Sequence, residues 1–450
     1  MKKLLALITI FMLSFVLLAC GDNDTTPPPA DNGTTTPPPG DDTPPPPPPS
    51  AEGNEAFTGE FLIWLDDEEV AEVMLPILSA QFPNVHFMWD LMGNVEMLTN
   101  LSLDGPAGIG PDIVFFPHDH IFRAINDQLV LPLGPELSEM MEGRFHDAAV
   151  ASVFDHETGW HFGIPIITES VALFYNRDLL NRYGFEVATT WERMVEQVQY
   201  MNESNTISPD GPLGTLAFRF DPGNAYDMHF ALTAHGFQLF GPDHTNPDLI
   251  NFDTPEVIAG LEWLYSNRTA MLNVPNDDLD GTNRYGAFID GEVAYIIDGP
   301  WRIGDIMLHG DFDFGVTMIP TINGNRPITF SGNIVMAASA FPGADAALRR
   351  AVLGFLASDE GLQIQYDTRG RIPALIDGSA ITGLLDNEHH VGILAQANYS
   401  HPMPIIPEMS FFWGQAGGMM ASVWDRVQSA PEAAAAAQLG YESARAIAEQ

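Results

Sequence analysis

The sequence predicts an α/β fold in two lobes, and three observations support this prediction. Short β-type runs alternate with helical stretches, as at 61–65, 70–82 and 85–89. Hydrophobic residues make up 45% of the chain and aromatic residues 10%, which indicates packed cores instead of an acidic disordered tail. About 390 residues follow Phe57, a length that suits two cores better than one. Such alternation predicts α/β layers with largely parallel sheets.

The individual elements follow from apolar spacing and capping residues. The predicted strands are Phe61–Leu65, Val85–Trp89, Ile113–Phe116 and Val293–Ile297. The predicted helices lie near Val70–Phe82, after an N-cap at Thr190, and after Asp253 or Thr254 with Pro255 in the first turn. Trp191 and Trp263 are expected to pack in the core. Because ligands of parallel α/β sheets bind beyond the carboxyl ends of strands, residues that follow strands are the first candidates for a site.

The chain begins with a segment that is typical of export. A basic pair precedes an apolar run over 4–18, which is short for a membrane span. The run ends in Leu17-Leu-Ala-Cys-Gly21, which resembles the lipobox of bacterial lipoproteins, and Cys20 is the single cysteine of the chain. The resemblance implies a signal peptide over 1–19 and a lipid anchor on Cys20 at the outer face of the cell membrane. Export without lipidation is the alternative.

Residues 20–56 are predicted to form a disordered tether between the lipidated Cys20 and the globular part. Prolines crowd 27–29, 37–39 and 44–49 among threonine, glycine and aspartate, a composition that favours extended polyproline II. At about 3.1 Å per residue the segment reaches up to roughly 100 Å. A recognition segment for proline-binding modules is the alternative.

The charge of the chain is strongly acidic. The formal net charge is −42, and the only lysines stand at positions 2 and 3, inside the signal peptide. Nucleic-acid binding needs a basic footprint, so the composition argues against it. An acidic surface suits an exported protein in alkaline or saline surroundings. With Cys20 lipidated, no thiol remains for a disulfide.

Four motifs occur in order across the globular part. They are Gly110–Asp119, Gly163–Asn176 with Asp178–Leu180, Asp298–Trp301 and Met403–Trp413. Together they resemble the solute-binding proteins of sugar ABC importers, particularly the maltose/maltodextrin-binding branch, and the resemblance covers 57–450. It implies a periplasmic-binding-protein-like fold whose two lobes close on a sugar in the cleft between them. It also implies a monomer that passes an oligosaccharide to ABC transporter permease subunits, with no enzyme activity and no cofactor.

The resemblance also implies where the chain crosses between the lobes. The first crossing is expected near Ile167–Glu169 and the second near Phe330–Asn333, with a third around Leu375–Leu384. Lobe I then comprises 57–167 plus 332–378. Lobe II comprises 170–329 plus 385–450.

The predicted aromatic contacts follow from the chemistry of sugars. A sugar ring has an apolar C–H face and a rim of hydroxyl groups, so it suits flat aromatic platforms and side chains that form two hydrogen bonds. By resemblance, Trp301 and Trp413 are stacking platforms in the second lobe, and Phe116 takes the place of a third in the first lobe. Core packing is the alternative for Trp301 and Trp413.

The predicted polar contacts carry departures from the family pattern. They are Asp66, Asp119, His120, Glu169, Asp221 and Tyr226. His120 replaces the usual arginine, Asp67 and Glu68 stand where a lysine is expected, and the alignment carries an insertion at Tyr226. The changes at His120 and Asp67 each remove a basic donor from one side of the cleft. The residues therefore favour an oligosaccharide in general over maltodextrin in particular.

Other functions remain open at this point. An acidic cleft with aromatic platforms would also suit a cationic solute such as a polyamine. An extracellular glycoside hydrolase is a further alternative, because many carboxylates allow some pair at catalytic separation. His118-Asp-His120 offers zinc-type ligands, but it belongs to a motif of the family. The stretch 276–287 begins like a calcium loop and lacks the carboxylate at its twelfth position, so no metal site is predicted.

Overall fold

The computed structural model describes residues 54–205, 218–219, 221–268 and 281–448. All of them belong to one structural unit, residues 46–450. The predicted signal peptide, Cys20, the tether up to residue 53 and the stretch 276–280 lie outside the described residues. Among the described helices, none combines the length and the apolar character that crossing a membrane requires.

Strands and helices alternate through most of the described chain. The strands are β1 (Gly59–Leu65), β2 (Val85–Leu91), β3 (Ile113–Pro117), β4 (Phe154–Asp155), β5 (Trp160–His161), β6 (Ile164–Ser170), β7 (Ala172–Asn176), β8 (Phe218–Arg219), β9 (Tyr295–Asp298), β10 (Phe314–Thr317), β11 (Thr329–Ala338) and β12 (Ser400–Pro402). The helices are α1 (Glu68–Gln81), α2 (Met97–Asp104), α3 (Ile121–Asn126), α4 (Pro135–Met141), α5 (Asp147–Ala151), α6 (Arg177–Tyr183), α7 (Trp191–Asn205), α8 (Ala225–Thr233), α9 (Pro255–Asn267), α10 (Gly281–Ile289), α11 (Ile303–His309), α12 (Ala346–Leu356), α13 (Asp359–Arg369), α14 (Glu388–Ala397), α15 (Met409–Trp424) and α16 (Ala430–Ala448).

Two main sheets organise the described residues, and both are mixed. The first has the order β12-β11-β3-β1-β2, and β6 also pairs with β11. The second has the order β10-β7-β9-β8. β1 runs parallel to β2 and β3, but β11 runs antiparallel to β3 and β6. In the second sheet only β8 and β9 are parallel. The prediction of largely parallel sheets is therefore wrong. Parallel neighbours need crossover connections, whereas β11 returns from the second sheet directly against β6.

The chain passes between the two sheets at two adjacent places. β6 belongs to the first sheet and β7, one residue later, to the second, while β11 brings the chain back after β10. Glu169 faces Gly332 in the β6–β11 register, and the Ser170 hydroxyl lies 2.9 Å from that of Thr329. A later segment joins the same region, because the Thr168 N–H donates to the Ile372 carbonyl (2.8 Å). These contacts hold the connecting segments side by side.

Two hydrophobic clusters meet at the second sheet. Successive residues of β9 alternate between them, since Ile296 belongs to the first cluster and Tyr295 and Ile297 to the second. This alternation reflects the period of two along a strand. In the second cluster the ring centroids of Trp191 and Trp263 lie 4.8 Å apart. Trp191 is fully buried and Trp263 packs against the cluster, as the sequence predicts.

Local sequence determines where the helices that matter for the site begin. The Asp67 carboxylate accepts the Val70 N–H (3.1 Å) and so caps α1 directly after β1. The Asn224 side chain accepts the N–H groups of Tyr226 and Asp227 at the start of α8. Thr190 accepts the Arg193 N–H at the start of α7, as predicted. The cap of α1 places Asp67 just after β1, and the cap of α8 places Tyr226 in the first turn of that helix.

Candidate functional site

Three half-buried aromatic rings lie together beside the connecting segments. Tyr226 is in the first turn of α8, Trp301 is in a short 3-10 turn after β9, and Trp413 is in α15. The Tyr226 ring centroid lies 6.3 Å from that of Trp301 and 6.4 Å from that of Trp413. The buried Phe330 ring supports them, stacked on Tyr226 at 6.1 Å. Their partial exposure distinguishes these rings from core residues such as Trp191.

Asp119 approaches this aromatic group from the end of β3, whose phenylalanines belong to the first hydrophobic cluster. It lies in the 3-10 turn that follows β3, and its Oδ2 accepts the Trp413 indole N–H (3.1 Å). His118 fixes that turn. Its Nδ1 accepts the Asn333 N–H and its Nε2 donates to the Met403 carbonyl, both at 3.0 Å. Burial lowers the pKa of His118, so the ring is neutral. Both ring nitrogens are engaged, which leaves His118 no nitrogen for zinc.

A second group of polar residues gathers at the carboxyl end of β1. Oδ2 of Asp66 accepts from the Asn94 amide (2.8 Å) and from the Arg371 guanidinium (2.9 Å). Asp67 forms an ion pair with Nε of Arg369 (2.6 Å). The sequence analysis missed Asn94, Arg369 and Arg371. Arg369 and Arg371 lie about 300 residues further along the chain, so no local pattern links them to β1.

These arginines correct the electrostatic interpretation of the sequence. The sequence predicts a loss of basic donors near Asp67. In the structure, Arg371 is 8% exposed and lies 3.7 Å from Asp67 as well as 2.9 Å from Asp66. Positive charge therefore reaches this wall of the site from a distant segment.

Glu169 interacts electrostatically with residues of both groups, with Arg371 and Asp66 in one and with Tyr226 in the other. It is half-buried on β6, and its burial raises its pKa to about 7; the nearby Arg371 opposes this shift, whereas the Asp66 carboxylate adds to it. Burial also raises the pKa of Tyr226 well above its ordinary value, with a further contribution from the negative charge of Glu169. The Tyr226 hydroxyl is therefore neutral and able to donate. Glu169 can be charged or neutral near physiological pH.

Several polar atoms in this region are buried and have no hydrogen-bond partner in the described part of the chain. They are Asp66 Oδ1, Asn94 Oδ1, Asp119 Oδ1, His120 Nδ1 and Tyr226 Oη. A buried polar atom without a partner costs about 1–3 kcal/mol, so such atoms are uncommon in folded proteins. Asp119 and Tyr226 lie in the aromatic group and Asp66 and Asn94 in the group at the end of β1, so both groups offer unused hydrogen-bonding capacity to a ligand that carries hydroxyl groups. We call the residues described in this and the preceding paragraphs the site cluster: Asp66, Asn94, Asp119, His120, Glu169, Tyr226, Trp301, Arg371 and Trp413.

Two predicted residues lie outside the site cluster. Phe116 is fully buried in β3 opposite Val335, and its role as a platform stays a prediction. Asp221 accepts the Gly223 N–H (2.9 Å) and shapes the turn before α8. Its role in ligand binding rests on the resemblance.

Comparison with known proteins places this geometry in a family. Residues 81–380 match the family described as bacterial extracellular solute-binding protein. The galactooligosaccharide-binding protein of Bacillus subtilis (strain 168) is 25% identical over 337 residues, covering 73% of this chain and 75% of the relative. The maltooligosaccharide ABC transporter solute-binding lipoprotein of Streptococcus pneumoniae (strain ATCC BAA-255 / R6) is 26% identical over 353 residues, covering 77% and 78%.

Solved structures agree with the fold. MalX from Streptococcus pneumoniae in complex with maltopentaose superposes with a TM-score of 0.75 at 22% identity, over 85% of this chain and 100% of that one. A cyclo/maltodextrin-binding protein complexed with maltotetraose superposes with a TM-score of 0.67 at 26% identity, over 86% and 98%. The fold is therefore that of the maltose-binding periplasmic proteins. On the match over residues 81–380, the chain belongs to the bacterial extracellular solute-binding protein family.

Proposed function

We propose that this protein captures a neutral oligosaccharide outside the cell, with maltodextrins as the first candidates, and delivers it to the permease of an ABC importer. The single observation that carries the proposal is the placement of three half-buried aromatic rings beside buried polar atoms that have no hydrogen-bond partner in the described part of the chain. The apolar face of a sugar ring packs on an indole, while its hydroxyl groups both donate and accept. One ligand class therefore satisfies both halves of the site cluster.

The charges of the site cluster disfavour an anionic ligand. Asp66, Asp119 and Glu169 supply carboxylates, and Arg371 supplies positive charge at 2.9 Å from Asp66. A uronic acid would bring a further negative charge to this region. A polyamine would have to compete with Arg371 for Asp66, which weakens the cationic alternative.

The names of the relatives support the ligand class more strongly than the linkage. They include a galactooligosaccharide-binding protein, maltooligosaccharide-binding lipoproteins and a maltotriose-binding protein. At 23–26% identity these proteins share a fold and differ in ligand. We therefore place the oligosaccharide class first and maltodextrin within it.

The proposed mechanism is capture by closure, with no bond made or broken. Lobe I would comprise 57–167 plus 332–378 and lobe II 170–329 plus 385–450, with the paired strands β6 and β11 between them. A sugar that contacts Trp301 on one side and Asp66 on the other stabilises the closed form, and the permease recognises that form. A lipid on Cys20 would keep the receptor at the outer face of the membrane.

The test is a ligand panel on the purified chain, read by tryptophan fluorescence and melting temperature. Maltotriose, maltotetraose, galactooligosaccharides and spermidine are compared at one ionic strength. A saturable response to a sugar, with no release of reducing ends over hours, supports the proposal. A response to spermidine alone contradicts it, and release of reducing ends would indicate a hydrolase.

A further inference from the structure

Arg371 lies among the carboxylates of the site cluster. The residue is 8% exposed, and its Nη2 lies 2.9 Å from Oδ2 of Asp66 and 3.7 Å from Oδ2 of Asp67. The Thr168 N–H donates to the Ile372 carbonyl (2.8 Å), which places the segment of Arg371 beside that of Glu169, and the charge of Arg371 acts on the Glu169 carboxyl. Burying an arginine is costly unless carboxylates pair with it, so Arg371 and these carboxylates stabilise each other only as a set.

The contact with Arg371 decides which oxygen of Asp66 is open to a ligand. Asn94 and Arg371 both donate to Oδ2, whereas Oδ1 is buried and has no partner among the described residues. A carboxylate held through one oxygen presents the other in a fixed direction. Oδ1 of Asp66 is therefore the oxygen left to accept from a ligand hydroxyl group.

Arg369, two residues earlier, cannot take over this task. Its guanidinium is engaged by Asp67, by Glu69 at 3.0 Å and by Asp305. These contacts join α1 to α11, and Arg369 shares the Asp67 carboxylate with Arg371. The positive charge that serves Asp66 and Glu169 comes from Arg371.

We propose that Arg371 is a positioning residue of the sugar site, which orients Asp66 toward one ligand hydroxyl and holds Glu169 as the acceptor of a second. The inference rests on the proposed function and deepens it. The positively charged group on this side of the site then comes from the segment that follows α13. The inference also makes the capture of a neutral sugar depend on pH.

The pH dependence follows from the groups that face Glu169. These are Asp66 after β1, Arg371 after α13 and Tyr226 on α8, with Gly332 of β11 opposite in the sheet. Burial places the pKa of Glu169 at about 7, so its charge changes within the range where proteins are assayed. Removing Arg371 leaves only negative or neutral neighbours and moves that pKa upward.

The test compares the full chain with its Arg371→Gln and Arg371→Lys variants. Arg349→Gln is the matched control, because Arg349 is also 8% exposed and donates to the Ala344 carbonyl instead of to the site cluster. The dissociation constant for maltotriose is measured by calorimetry from pH 5.5 to 9. For Arg371→Gln we expect about tenfold weaker binding at pH 7 and a profile midpoint at higher pH. Arg371→Lys restores the midpoint, and Arg349→Gln changes neither quantity.

A second measurement needs no sugar. The Glu169 carboxyl carbon is followed by ¹³C NMR through a pH titration, with Glu169→Gln used for its assignment. A midpoint that rises in Arg371→Gln supports the proposal, and an unchanged midpoint overturns it. If the wild-type chain bound no oligosaccharide at all, the proposed function would fail, and the titration would still decide whether Arg371 controls Glu169.

Discussion

The indole nitrogen of Trp413 lies 3.1 Å from Oδ2 of Asp119, and this hydrogen bond ties α15 to the turn after β3. Phe412 and Met420 of α15 belong to the second hydrophobic cluster, whereas Phe115 of β3 belongs to the first. The contact therefore joins two parts of the fold whose cores are largely separate. It also leaves Oδ1 of Asp119 buried without a partner in the described chain.

Replacing Trp413 with phenylalanine tests this contact. The variant keeps an aromatic ring but loses the N–H donor, which leaves both oxygens of the buried Asp119 without a hydrogen-bond partner among the described residues. We expect sugar binding to weaken by about 1–3 kcal/mol, the usual effect of unpairing a buried polar group. Calorimetry with maltotriose measures it. An unchanged affinity in a folded variant would mean that Asp119 is satisfied in another way when the sugar is bound.

Replacing Trp301 with alanine tests the stacking platform. If Trp301 packs on a sugar ring, the affinity should fall by about 2 kcal/mol or more, as for other aromatic hot spots. Trp191→Phe is the control, because Trp191 is buried in the core and donates to Asn267 (2.7 Å). That control should lower the melting temperature and leave the affinity unchanged. The reverse pattern would return Trp301 to a purely structural role.

Glu169→Gln tests the titration of the buried carboxyl. The folded-state pKa of about 7 exceeds the ordinary value of 4.5, so between these values the folded chain holds a proton that the unfolded chain has released. The free energy of unfolding of the wild type should therefore fall as the pH rises from 4.5 through 7. Glutamine has no proton to lose and removes this decline.

Urea denaturation of both chains at pH 5 and pH 8 measures the effect of Glu169→Gln. The variant should gain stability relative to the wild type at the higher pH, and exposed Glu68→Gln should not. Parallel pH dependences for wild type and Glu169→Gln would show that burial does not perturb this carboxyl.

His118→Ala tests the anchor of the turn that carries Asp119. The substitution removes a ring whose two nitrogens contact Asn333 and Met403, and it leaves both backbone groups unpaired. We expect a loss of about 2–4 kcal/mol in the free energy of unfolding from the two lost hydrogen bonds and the cavity. His309→Ala, at an exposed position, is the control and should be neutral. Equal stability of the two variants would contradict the anchoring role.

Cys20→Ser tests the lipid anchor. Without the thiol no acyl chain can be attached at this position, so the exported chain should move from the detergent phase to the aqueous phase of a Triton X-114 partition. Immunoblotting of both phases measures the shift. Retention of the variant in the detergent phase would show that something other than Cys20 holds the protein at the membrane.

Some parts of this structure could be predicted from local sequence. β1, α1 and β2 follow from apolar spacing with an acidic cap at Asp67, and the buried ring of Trp191 follows from its place on the apolar face of α7. Trp301 and Trp413 could be proposed because each follows a recognisable motif at an element boundary. In these cases residues close in sequence determine the outcome.

Other parts depend on contacts between distant segments. Phe116 looks like a candidate platform at a strand end, but its pairing with Val335 of β11 buries it completely. Arg371 joins Asp66 across 305 residues, and nothing in the sequence around either residue indicates the contact. The mixed sheets have the same origin, since the direction of β11 depends on where the chain returns from the second sheet. Tertiary pairing decides each of these features.

The most direct test of the central claim is a crystal structure of the chain with the tightest-binding sugar of the panel. The account predicts a sugar ring packed on the Trp301 indole, with hydroxyl groups within hydrogen-bond distance of Oδ1 of Asp66 and Oδ1 of Asp119. A sugar bound elsewhere, with the Asp66 and Asp119 oxygens still without partners, would contradict it.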